Sequence, residues 1–125
     1  MATIVVVEDQ PDNLKLITAL LTMKGHRVVG LTSGEPLVAT LLAEQPAPGL
    51  VLLDIQLPGR DGYSVLRDVK RIEGDHPWKV VALTAHAMPG DREKTLAAGF
   101  DGYLSKPIDV RTFPDDVARY LSPAP

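Results

Sequence analysis

Apolar residues along this chain fall into two rhythms. Ile4 to Val7, Val28-Val29, Leu50 to Leu53, Val80 to Leu83 and Tyr103-Leu104 are short, mostly β-branched or aliphatic runs, the pattern of strands buried on both faces. Between them, Leu14, Ile17, Leu20 and Leu21 recur at helical spacing. So do Leu37, Val38, Leu41 and Leu42, and then Val65, Leu66, Val69 and Ile72. Each set predicts an amphipathic helix. Strands alternating with helices of this length predict right-handed crossovers and a parallel sheet covered on both faces, an α/β fold of about five strands.

The punctuation falls where the rhythm changes. Pro11 suits the first turn of helix one and Gly25 its stop; Ser33 suits the cap of helix two; Pro89 and Asp91 open helix four, and Gly99 closes it. No linker, repeat or low-complexity segment interrupts the pattern, so residues 1–125 read as one domain, with 122–125, Ser-Pro-Ala-Pro, as a frayed tail.

Composition removes several classes of function. With no cysteine in 125 residues there is no disulfide framework, thiolate metal site or Cys nucleophile. No run approaches the roughly 20 apolar residues of a membrane span, and no basic leader precedes an apolar stretch. A formal net charge of -3 without a Lys/Arg stripe leaves no footprint for DNA or RNA. The expectation is a cytoplasmic protein that binds neither membrane nor nucleic acid directly.

Candidate chemistry comes from the polar residues at the end of each apolar run. Ligands of open parallel α/β sheets bind outside the carboxyl ends of the strands. Those ends carry Glu8-Asp9, Asp54, Thr84 and Ser105-Lys106, so three carboxylates, a hydroxyl and an ammonium are predicted to converge. Gathered carboxylates repel one another unless a cation neutralises them. An all-oxygen set with an open shell suits Mg²⁺ better than a full Ca²⁺ cage. A phosphoryl group is the natural guest, held by the cation, Lys106 and Thr84, with Asp54 placed to attack and form an acyl phosphate. Strand one leads into Glu8-Asp9-Gln10-Pro11 instead of a Gly-rich turn, which excludes a dinucleotide fingerprint and a P-loop. A haloacid-dehalogenase-type phosphatase needs a second Asp two residues after the nucleophile, and Gln56 stands there, so a general acid is missing.

At these residues the chain resembles a response-regulator receiver domain, the CheY-like family of two-component signalling. The resemblance runs from Thr3 to about Leu121 and rests on "VVVEDQ", "LLDIQLPGRDG", "ALTAHAMPGD" and "GFDGYLSKPI", each in order at a strand end. It implies a flavodoxin-like (βα)5 three-layer sandwich with strand order 2-1-3-4-5. It also implies residue roles. Asp54 would be the phosphoacceptor, with Thr84 and Lys106 reading the phosphoryl oxygens. Mg²⁺ would be held by Asp9 and Asp54, by Glu8 largely through water, and by the backbone carbonyl of Gln56. The Lys106-Pro107 bond would be cis. Tyr103 would be the switch aromatic, and the face of helix four, strand five and helix five would carry output to another protein. Gln56 and His86 stand where the family varies its dephosphorylation rate. The phosphoryl donor would be a histidine kinase or histidine phosphotransfer protein.

Helix five departs from the family. A start at Asp109 would put Pro114 inside the helix at about 3 kcal/mol. Thr112-Phe113-Pro114-Asp115 reads instead as a delayed start, with Thr112 as N-cap and Asp115 in the first turn. Lys79 and Trp78, ahead of strand four, are also unusual and lie away from the predicted site.

Ordinary roles stand beside the functional ones. Asp54 alone would read as a loop cap, and Glu8-Asp9 as acids near a helix N-terminus. Tyr103 suits half-buried packing as well as switching. His86 suits a surface contact, His26 packing, His76 a loop, and Met88 an adaptable partner contact. The reading of the whole is a phosphorylation switch that promotes its own phosphorylation and dephosphorylation without being a turnover enzyme. A chain ending with the domain implies output through another protein, and Met1 just ahead of strand one favours an independent protein. The segment from Thr84 to Ile108 also resembles receivers of hybrid histidine kinases and single-domain DivK-type regulators, so a receiver cut from a hybrid kinase is one alternative. Others are a phosphorylation-independent adaptor and a phosphohydrolase.

Overall fold

The computed structural model of the chain describes residues 2–57, 59–74, 76, 78–85 and 90–121. Strands β1 (Thr3–Val7), β2 (Arg27–Leu31), β3 (Leu50–Asp54), β4 (Lys79–Thr84) and β5 (Gly102–Ser105) form one sheet. All its pairings are parallel and its order is β2-β1-β3-β4-β5. The connecting helices are α1 (Pro11–Met23), α2 (Leu37–Ala43), α3 (Gly62–Lys70), α4 (Asp91–Ala97) and α5 (Phe113–Leu121).

Alternation along the strands splits the core in two. Val5, Val7, Val51 and Leu53 pack with Leu37 and Leu41 of α2 and with Val65, Leu66 and Val69 of α3. Ile4, Val6, Leu50, Leu52, Val81 and Leu83 face the other way, onto Ile17 and Leu21 of α1 and Phe113 and Val117 of α5. The result is the expected three-layer sandwich, with β1 and β3 in its middle. Every residue of β3 is buried. Burial on both faces does not extend to the edge strand β2, whose residues are all exposed or half-buried because no strand covers its outer side.

Helix ends obey local chemistry. Pro11 opens α1, where no amide donor is needed. Gly25 follows it at φ 87° and Gly99 follows α4 at φ 113°, left-handed values that favour glycine. Ser33 does not cap α2. That helix starts at Leu37 with Pro36 just ahead, because the residue before a proline is disfavoured in helical conformation. Leu37 N donates to Gly34 O at 3.2 Å, closing a tight turn. Gly34 is pressed on α3, where an added Cβ would stand 2.4 Å from Val65 Cγ2. In α5, Phe113 is the first residue and Pro114 the second, with Asp115 and Asp116 in the first turn. Asp109 O accepts from Thr112 N and Phe113 N, forming the turn that delays the helix. Pro89, the other residue expected to open α4, lies outside the described residues, as does the 122–125 tail.

Candidate functional site

Apolar β1 and β3 run side by side, Val7 opposite Leu53, so the residues at their carboxyl ends emerge together. Asp54 ends β3 and is 2% exposed; Glu8, one residue past β1, is fully buried. Glu8, Asp9 and Asp54 each offer a carboxylate oxygen, and these atoms all lie within 4.8 Å of one another. Such a set is able to hold a metal ion.

Lys106 comes in from the end of β5. Its Nζ donates to Asp54 Oδ2 at 2.8 Å and lies 2.6 Å from Glu8 Oε1. The second contact is an ion pair without hydrogen-bond geometry, and Glu8 Oε1 is buried with no hydrogen-bond partner. Gln56 N donates to Asp54 Oδ1 at 2.8 Å, and Gln10 N donates to Glu8 Oε2 at 3.2 Å. Burial, reinforced by neighbouring Asp54, pushes the Glu8 carboxyl above its usual range despite Lys106. Burial alone would lower Lys106, but the carboxylates of Asp54 and Glu8 outweigh it and hold the ammonium above its ordinary value. Among the described residues one cation faces two buried carboxylates, which leaves the site short of positive charge.

Thr84, 3% exposed, ends β4 beside this cluster, and its carbonyl accepts Lys106 N at 2.8 Å. The Lys106–Pro107 bond is cis. The structure therefore brings Glu8, Asp9, Asp54, Thr84 and Lys106 to the carboxyl ends of four strands. Gln56 is exposed, two residues beyond Asp54. Tyr103 is half-buried in β5, and its N donates to the Tyr120 hydroxyl at 3.4 Å. It lines a cavity of about 630 Å³ between α4, β5 and α5, together with Leu96, Phe113 and Tyr120. His86 and Met88 lie outside the described residues. His26 Nδ1 accepts from Ala2 N, and His76 stacks on Trp78 with ring centroids 4.1 Å apart, both away from the acidic cluster.

Sequence reasoning passed over the support of the β3–α3 loop. Arg60 Nη2 donates to Asp68 Oδ2 at 2.7 Å and to Ser64 Oγ at 2.8 Å, and Nη1 lies 3.7 Å from Glu35. The spacing of 60, 64 and 68, one helical turn at each step, was the available signal. Arg60 holds the Asp68 carboxyl below its ordinary range.

Residues 4–118 match the family described as the response regulator receiver domain. The chain is 39% identical over 118 residues to the signal transduction histidine-protein kinase BarA of Escherichia coli K12, covering 94% of this chain but 13% of that protein. It thus spans a small part of that kinase. To the polar-differentiation response regulator DivK of Brucella ovis it is 38% identical over 122 residues, covering 98% of each. Among solved structures, the receiver domain of a sensor histidine kinase from Pseudomonas aeruginosa PAO1 is similar at a TM-score of 0.82 and 34% identity. The likeness covers 96% of this chain and 97% of that one, whose active-site cleft coordinates a magnesium ion.

Proposed function

The chain belongs to the response regulator receiver domain family of two-component signalling, and on that premise we propose that it is a phosphorylation switch whose phosphoacceptor is Asp54. One observation carries the reading. A buried carboxylate, fixed by Gln56 N and Lys106 Nζ, stands at the end of the central strand beside two further carboxylates.

The donor is a histidine kinase or histidine phosphotransfer protein carrying phosphohistidine. An Asp54 oxygen forms the new O–P bond while the P–N bond breaks and its electron pair leaves with the imidazole. Lys106 tracks the transferred charge, and the Thr84 hydroxyl is placed to receive a phosphoryl oxygen. Water then hydrolyses the acyl phosphate, with Gln56 and His86 tuning the rate. The receiver supplies much of the catalysis in both steps and is not a turnover enzyme.

The residues fit Mg²⁺. Their donors are all oxygens, Glu8 Oε1 lacks a hydrogen bond, and the cluster is short of positive charge. Asp9, Asp54 and the Gln56 carbonyl would hold the ion, with Glu8 acting through water. When bound, the ion neutralises carboxylate and phosphoryl oxygens together.

Output goes to another protein through the face of α4, β5 and α5, where Tyr103 is the switch residue, and His86 and Met88 are assigned to partner contact by the same reading. No described helix is long and apolar enough to cross a membrane. The same reading puts the protein in the cytoplasm, with neither nucleic acid nor membrane as direct partner, and treats residues 1–125 as one receiver. The 39% identity to a portion of BarA favours a second setting for the same chemistry, a receiver within a hybrid histidine kinase. Intact mass tests the reading. With Mg²⁺ and acetyl phosphate the protein gains one phosphoryl group, which decays after the donor is removed. An equal gain in the presence of EDTA would contradict it.

A further inference from the structure

α4 is weakly anchored. Among its described residues a single side chain is buried, that of Thr95, while Leu96 is 40% exposed. Its N-cap is Gly90, with no side-chain cap. A polar contact therefore does what apolar burial does for the other helices. Thr95 Oγ1 lies 3.2 Å from the hydroxyl of Tyr63 on α3. The Tyr63 ring also meets Phe100 edge-on, with centroids 5.8 Å apart, and Lys94 Nζ stands 5.4 Å from its centroid. Tyr63 thus fastens α4 and the approach to β5.

The other side of Tyr63 leads to the acceptor. Its neighbour Gly62 opens α3 against the main chain just past β3. An added Cβ there would come within 2.6 Å of Asp54 O and 2.7 Å of Ile55 Cα, and Gly62 N donates to Ile55 O at 2.7 Å. Two adjacent residues of one helix turn touch the Asp54 backbone and α4.

We propose that Tyr63 is a positioning residue that seats α4 through Thr95, that phosphorylation of Asp54 shifts α4, and that this hydrogen bond is a latch coupled to Asp54 and opposing that shift. The coupling rests on the receiver reading above. A buried hydroxyl either keeps its partner or pays for losing it, and α4 buries no apolar side chain that would blur the choice into a continuum.

Tyr63→Phe and Thr95→Val keep ring and volume while removing the bond. Hydrogen exchange of the α4 amides in the metal-free protein is the direct readout, with the α1 amides as a control for the intact fold. Each variant is expected to exchange about three- to tenfold faster in α4, with the double variant no faster than either single. Beryllium fluoride with Mg²⁺, a mimic of the acyl phosphate, should then bind each single variant more tightly by a comparable factor, by reciprocity. Unchanged α4 exchange, additive effects in the double variant, or unchanged affinity would overturn the latch. Wild-type protein that binds no beryllium fluoride would overturn the phosphoacceptor reading and the coupling with it. The exchange data would still decide whether Tyr63 seats α4.

Discussion

Glu8 and Asp54 are buried carboxylates served by a single ammonium, that of Lys106. The Glu8 carboxyl is raised by burial and by Asp54, so without metal its charged form is a liability of the folded state. A raised folded value means that stability is fully present below the ordinary value of 4.5 and is lost as pH rises through the folded value. Glu8→Gln should therefore raise the metal-free melting temperature at pH 7, with a gain that shrinks as pH falls through the raised folded value and is gone by about 4.5. Thermal melts across that range check the prediction, and added Mg²⁺ should narrow the difference. This cluster was legible from composition and strand ends alone, because side chains at the ends of adjacent parallel strands have little freedom to diverge. The electrostatic imbalance within it was not legible, since it depends on Glu8 being fully buried and Lys106 only nearly so.

Among the elements, α3 is fixed at its start and α5 is shifted in its start. Gly62 leaves no room for a side chain, because the atoms in the way are main-chain atoms of Asp54 and Ile55. Gly62→Ala should cost about 1–3 kcal/mol by denaturant unfolding. Pro114 stands second in α5, where its missing amide and fixed φ cost little, so Pro114→Ala should change stability by at most about 1 kcal/mol, in the direction of loss. A gain near 3 kcal/mol would place the proline inside a longer helix. The delayed start was readable because proline carries its constraint locally. Ser33 misled because cap chemistry is common, and the turn at Gly34 that leads to Pro36 and the start of α2 packs on Val65, far along the chain. Tyr63 and Thr95 were invisible for the same reason: their meeting depends on how α3 and α4 lie against each other.

At the scale of the whole molecule, the parallel sheet and its two-sided core came out of the apolar rhythm, whereas the strand order 2-1-3-4-5 came from the resemblance to the receiver family. The fold then delivers acids from β1 and β3, a hydroxyl from β4 and a cation from β5 to one edge. Ligand binding there should stabilise the entire domain. Mg²⁺ at a hundredfold excess over its Kd should add about 2.7 kcal/mol, and Asp9→Asn should remove most of that gain at the same concentration, as read by denaturant midpoints with and without EDTA.

The central claim is that Asp54 itself carries the phosphoryl group, and reductive trapping tests it most directly. Borohydride converts an aspartyl phosphate to homoserine, which peptide sequencing by mass spectrometry locates. After treatment with Mg²⁺ and acetyl phosphate, homoserine is expected at position 54 in the wild type and nowhere in Asp54→Asn. Homoserine at Asp9 or another carboxylate, or equal labelling of the Asp54→Asn protein, would contradict the account.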